Sequence, residues 1–152
     1  MNQVRRLFVK SLLAAAAVAA ELIQPLRALA GEWNGAAFDA REIGLALKAA
    51  GLANAAESAD IVIKAPEIAE NGAQVPIEVL SKIPGTRTLY LFVDKNPQPF
   101  VGSFEFFGGA EPFISTRIKM GETSNVRVVA RVGSNAYMAL REVKVTIGGC
   151  GA

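Results

Sequence analysis

Cys150 is the only cysteine in the chain, and it lies in the closing stretch Gly148-Gly149-Cys150-Gly151-Ala152. A thiol set between glycines has no neighbours with which to build a core, and without a second cysteine it cannot close an internal disulfide. What remains is chemistry with something outside the chain, either a covalent adduct or an intermolecular bridge. The sequence has no histidine. An imidazole base, a Ser-His or Cys-His pair and histidine-ligated zinc are therefore unavailable, and one cysteine cannot make a thiolate metal cage. The acids stand at surface-like spacings, Glu67 and Glu70 reading as a solvated turn. No cofactor and no metal are expected.

The electrostatics around Cys150 say which partner does the chemistry. A free thiol has a pKa of about 8.5, and the nearest charge in sequence, the Ala152 carboxylate, opposes ionisation. Lys144 lies six residues back. The thiol is thus poorly placed to activate itself, which favours a passive attachment point over an autonomous thiol enzyme. The alternative to a carrier is a secreted structural or adhesive sandwich that uses Cys150 for an intermolecular disulfide, with a thiol-dependent redox enzyme as the third reading. Gly148, Gly149 and Gly151 give the backbone wide freedom, and the run "REVKVTI" feeds into them with no turn signal. Residues 148–152 therefore read as a thin flexible arm. At about 3.3 to 3.6 Å per extended residue it can carry the thiol several ångströms beyond the body and into a narrow site on another protein.

The opposite end of the chain says where this happens. Arg5 and Arg6, the apolar run from Leu12 to Ala20 and the Ala28-Leu29-Ala30 cleavage pattern predict a twin-arginine (Tat) signal peptide over residues 1–30 and a periplasmic location. The run is shorter than the roughly 20 apolar residues that span a bilayer, so no membrane attachment is expected after cleavage. Of 16 basic and 14 acidic residues, the leader holds Arg5, Arg6, Lys10 and Arg27 against Glu21; taking away four and one leaves 12 and 13, a formal charge of −1. The whole-chain pI of 8.8 reflects the leader, and no basic stripe suggests a nucleic-acid partner. The Tat route moves folded cargo. A chain with no evident cofactor on that route is expected to fold against a partner that lacks its own signal and is carried across with it.

About 120 residues remain, enough for one domain with a real core, expected over 31–147. "DAREIGLALKAA" predicts a helix from Asp39 to about Ala50, with an Asp39/Glu42 capping box and Gly51 as terminator; Gly44 lowers its propensity. After it the period changes to alternation. "ADIVIKAP", "QVPIEVL", "TLYLFVD", "PFISTRIKM" and "NVRVVARV" read as strands, the fourth with Ile114, Thr116, Ile118 and Met120 on one face. Turn signals separate them at Asn71-Gly72, Pro84-Gly85, "DKNPQP", Gly108-Gly109, Gly121 and Gly133-Ser134-Asn135. Short strands with no helical crossovers argue for an all-β antiparallel sandwich behind a short N-terminal helical segment. No repeat, low-complexity linker or second domain is visible. Of Phe100, Phe104, Phe106, Phe107 and Phe113, most are expected in the sandwich core. Phe106 and Phe107 are adjacent, so along a regular strand one of them points outward.

The ending "VKVTIGGCGA", the stretch "PEIAENGAQVPIEV", the segment "VDKNPQPF", the run "TRIKM" and the twin-arginine leader resemble the SoxY family, the sulfur-carrier subunit of the bacterial thiosulfate-oxidising system. The resemblance runs over essentially the whole mature chain. It departs at the last residue, where the family usually has glycine and this chain has Ala152, a change expected only to stiffen the tip slightly. It implies an immunoglobulin-like sandwich, a stable heterodimer with a signal-less SoxZ subunit, and sulfur intermediates carried covalently on Cys150. It also implies transient partners: the SoxAX cytochrome, which joins thiosulfate to the carrier thiol; the manganese-dependent SoxB hydrolase, which releases sulfate; and the molybdenum- and haem-containing SoxCD dehydrogenase, which oxidises the residual sulfur. The metals and haem would belong to those partners.

Overall fold

The computed structural model describes residues 34–146. The expected signal peptide, Gly148, Gly149, Cys150 and Gly151 lie outside them. Two short helices, α1 (Gly35–Asp39) and α2 (Ile43–Ala49), precede nine strands. These are β1 (Ala56–Glu57), β2 (Ile61–Lys64), β3 (Ile68–Ala69), β4 (Val75–Ser81), β5 (Thr88–Val93), β6 (Phe100–Glu105), β7 (Phe113–Ile118), β8 (Ser124–Val132) and β9 (Asn135–Val145). The larger sheet runs β1-β9-β8-β5-β6, with β3 also on β9, and the smaller runs β2-β4-β7. The expected all-β sandwich behind a short helical segment is what forms.

Alternation builds the space between the sheets. Val75, Ile77 and Val79 of β4, Ile114 and Ile118 of β7, Leu89, Leu91 and Val93 of β5, and Val126, Val128 and Ala130 of β8 share one buried cluster, closed by Met120 and Val143. Pro76 stands in the central strand of the smaller sheet at no loss. Odd positions of β4 bond toward β7, as Ser81 N–H does to Pro112 C=O at 3.0 Å, so the missing donor at Pro76 faces the flank where β2 has already ended, opposite Glu78.

A third layer, not foreseen in the alternating pattern, explains why β5 is apolar on both faces. Phe92 and Val129 point away from the sandwich interior and pack with Ala37, Ala46, Ala50, Leu52 and Phe100 beneath the helices. A sheet covered on both sides reads as a continuous apolar run. Phe100 reaches this layer through a bulge. Leu91 pairs with Gly102 but Phe92 with Phe100, so Val101 is the extra residue and Phe100 turns to the helix side. There its ring lies 4.4 Å from that of Phe38 and 5.0 Å from that of Phe92.

Three expectations need correction. The helix does not run unbroken from Asp39: Asp39 ends α1, and Glu42 flanks α2 without a side-chain cap. Asn34 takes over the capping instead. Its Oδ1 accepts the Ala37 N–H at 3.1 Å and its Nδ2 donates to Ala49 C=O at 3.0 Å, folding the two helices together. Gly51 does terminate α2, at φ +69°, with Leu52 N–H on Leu47 C=O at 2.7 Å and Gly51 N–H on Lys48 C=O at 3.0 Å. Second, pairing is not wholly antiparallel, since two-residue β1 and β3 run parallel to β9. Third, the aromatics divide differently. Phe107 is the outward member of its pair, 72% exposed, but Phe113 is also 44% exposed, and Phe100 belongs to the helix-side cluster.

Candidate functional site: where the last strand ends

β9 alternates its bonding partners to its last residue. On one side it pairs with β8, ending at Ser124 opposite Val143. Backbone pairing stops there, and a side chain takes over: Thr123 Oγ1 accepts the Val145 N–H at 3.0 Å. On the other side lies β3. Glu67 C=O accepts the Lys144 N–H at 2.9 Å and Ala69 C=O accepts the Thr146 N–H at 3.1 Å. Three successive amides at the end of the chain's last strand are therefore held, alternately from left and right. Thr146 is the last described residue, four short of Cys150 in the sequence.

The segment that carries β3 is held in turn by the smaller sheet. Asn71 forms a turn on itself, its Oδ1 accepting the Ala73 N–H at 2.9 Å. Beyond it Gly72 C=O accepts the Met120 N–H at 2.7 Å. Gly72 has no room for a side chain. A Cβ there would stand 2.3 Å from Met120 O and 2.9 Å from Val145 Cγ1, so the backbone passes between the end of β9 and the second residue after β7. Asn96, from the β5–β6 connection, completes the end: its Nδ2 donates to Lys119 C=O at 2.7 Å and its Oδ1 accepts the Gly121 N–H at 3.1 Å.

Three of the stretches singled out in the sequence thus meet in space. Gly72 belongs to "PEIAENGAQVPIEV", Asn96 to "VDKNPQPF" and Met120 to "TRIKM"; Gly72 bonds to Met120, Asn96 bonds to the residues on either side of Met120, and Gly72 lies against Val145 of the fourth, "VKVTIGGCGA". Sequence reasoning read Asn71-Gly72 as a turn and missed that it braces β9. Thr123 and the two-residue β3 were missed altogether. A strand of two residues has no period to detect, and a hydroxyl that replaces a backbone partner leaves no pattern.

Little at this end could do chemistry by itself. Lys144 and Glu67 form a surface ion pair at 3.7 Å, of the exposed kind that contributes little. Among the described residues there is no group of three or more His, Cys, Asp or Glu side chains that could hold a metal ion. The other ion pair of note, Arg127 with Asp94, is structural: two parallel bonds of 2.9 Å fix the start of the β5–β6 connection to β8.

Comparison with known proteins agrees with this geometry. A family model described as sulfur oxidation protein SoxY matches residues 47–150. Among solved structures, the chain is similar to the sulfur carrier protein SoxY from Chlorobium limicola f thiosulfatophilum, with 43% sequence identity and a TM-score of 0.64 over 72% of this chain and 96% of that one. Among curated proteins, none matches.

Proposed function

This chain belongs to the SoxY family, and from that premise we propose that it is a covalent sulfur carrier that holds oxidation intermediates on Cys150. The observation that carries the reading is that the family match runs through to residue 150, so it takes in the one thiol of the chain and the two glycines before it. The described part of the molecule supplies what a carrier needs from its body. β9 is braced up to Thr146, and at about 3.5 Å per residue the four residues that follow give the thiol a reach of about 14 Å.

The chemistry belongs to partners. Conjugation joins the Cys150 sulfur to the outer sulfur of thiosulfate, with loss of the thiol proton and two electrons, which pass to the cytochrome partner SoxAX. Hydrolysis at SoxB adds water across the terminal sulfur–sulfur bond, releases sulfate and leaves a persulfide on Cys150. SoxCD then oxidises that sulfane sulfur to the sulfonate level, with water supplying the oxygen atoms and the electrons passing to its haem. This chain contributes a nucleophile, a tether and a docking body; it is not an enzyme. Residues 1–30 act as a Tat leader to the periplasm, and a SoxZ subunit forms the heterodimer and travels with it. The absence of histidine from the chain supports the passive role, since no imidazole is present to deprotonate the thiol.

Replacement of the nucleophile tests the reading. Cys150→Ser is expected to abolish carrier-dependent thiosulfate oxidation in a reconstituted system, while the circular-dichroism spectrum and the thermal midpoint stay unchanged. Retained oxidation with the serine variant contradicts it.

A further inference from the structure

We infer that the end of the sandwich carrying Phe107 and Phe113 is the docking surface for the permanently bound subunit; the identity of that subunit as SoxZ rests on the reading above. The starting point is an aromatic side chain that the fold holds out into solvent. Phe106 packs against the core between the sheets, and its N–H donates to Arg87 C=O at 2.9 Å. Phe107, next in the chain, is 72% exposed. Its C=O accepts the Ala110 N–H at 3.1 Å across Gly108 and Gly109, whose φ values of +63° and +79° make a tight turn of the kind glycine favours. The backbone of Phe107 is thus fixed on both sides, so little ordering is left to be done when a partner buries its ring.

Phe107 has apolar company. Pairing of β2, β4 and β7 places Val62 opposite Leu80 and Leu80 opposite Phe113. These three alternate with the core residues Ile61, Val79 and Ile114, so they form an apolar row on the outer face of the smaller sheet. The next row, Lys64, Glu78 and Ser115, is polar. Bonds tie the apolar row to the Phe107 turn: Pro112 C=O accepts the Ser81 N–H at 3.0 Å, and Ser81 Oγ lies 2.8 Å from Thr86 Oγ1, the residue before Arg87. Lys82, Arg87, Glu105 and Glu111, each next in sequence to one of these, are exposed. An aromatic and aliphatic centre with a rim of both charges is the make-up of a protein interface.

Position selects the occupant. Strand pairing gathers Ser81, Thr88 and Asn135 at one end of the sandwich and Val75, Val93 and Val145 at the other. The seven residues of β4 alone separate the two by about 20 Å. A catalyst that works on residues beyond β9 approaches the second end. A subunit that stays bound through the whole cycle has to leave that end clear, and a seat at the Phe107 end does so.

Calorimetric titration of the full mature chain with purified SoxZ tests the assignment. Phe107→Ala is expected to weaken pairing about thirtyfold or more, with the circular-dichroism spectrum and thermal midpoint unchanged because the ring is largely exposed. Phe113→Ala is expected to weaken it as well. Leu45→Ala, at an exposed side chain on α2, is expected to leave it unchanged. A Phe107→Ala variant that folds and pairs as tightly as wild type overturns the assignment. So does a wild-type chain that does not bind SoxZ, or one that instead pairs with a second copy through Phe107, seen in sedimentation as a dimer that the alanine variant abolishes. Thiosulfate oxidation retained by Cys150→Ser would remove the carrier reading and leave this surface standing, so the two fail separately.

Discussion

Arg127 and Asp94 show how much one pair can decide at the scale of single residues. Their side chains are 15% and 14% exposed and share two bonds, one ion-pair contact measuring 2.9 Å. Arg127 also lies 3.2 Å from Met138 Sδ. Removing one partner leaves the other charge in a largely dry place, so Asp94→Ala is expected to destabilise the fold by about 2 to 4 kcal/mol, read as a lower urea midpoint with an unchanged slope. Arg127→Lys keeps the charge but loses the fork, and should lie between wild type and Asp94→Ala. A loss below about 0.5 kcal/mol for Asp94→Ala would mean that the pair is solvated like an ordinary surface pair. At this scale the sequence was legible where residue type alone carried meaning. The adjacency of Phe106 and Phe107 required one of them outside, and Phe107 is the exposed one. Gly72 and Thr123 were not legible, because their importance lies in what stands opposite them, a carbonyl from residue 120 and an amide from residue 145.

Elements were readable in proportion to the number of periods they contain. The alternation of β4, β7 and β8 named the buried faces correctly, since a one-residue slip would turn every apolar side chain to water. β1 and β3 have no such signal at two residues each. The helices were misjudged for a related reason. "DAREIGLALKAA" holds a helical spacing, but Asn34, upstream of it, caps an earlier turn and ties it to the end of α2, so a bend falls where the pattern suggested continuity. The helix layer is attached by Arg131 of β8. Its Nη2 donates to Ala50 C=O at 2.8 Å and to Gly51 C=O at 3.2 Å, and its guanidinium lies 5.3 Å from the centre of the Tyr90 ring. The contact places a cation on the orphan carbonyls at a helix C-terminus. Arg131→Ala is therefore expected to cost about 1 to 3 kcal/mol and to raise hydrogen exchange in residues 43–50 more than in β5 or β8. Uniform exchange across the molecule would contradict a local anchoring role.

At the scale of the whole molecule, the described residues form one body of two sheets and a helix layer. Two sheets enclose one core and the larger sheet shares a second with the helices, while loops and strand ends from both sheets converge where β9 finishes. Sandwich and carrier family were both foreseen from the sequence. The convergence was not, since it joins residues from 67 to 146 through bonds that no local pattern announces. A family match from 47 to 150 spans that convergence and the thiol together.

The central claim is that sulfur is carried on Cys150, and intact-mass spectrometry addresses it most directly. The mature protein, isolated from cells oxidising thiosulfate, should show mass additions of sulfur or sulfonate that a reductant removes, that map to the C-terminal peptide, and that disappear in Cys150→Ser. Protein whose Cys150 is found only as a free thiol or as a disulfide between two copies, under conditions where thiosulfate is being consumed, would contradict the account.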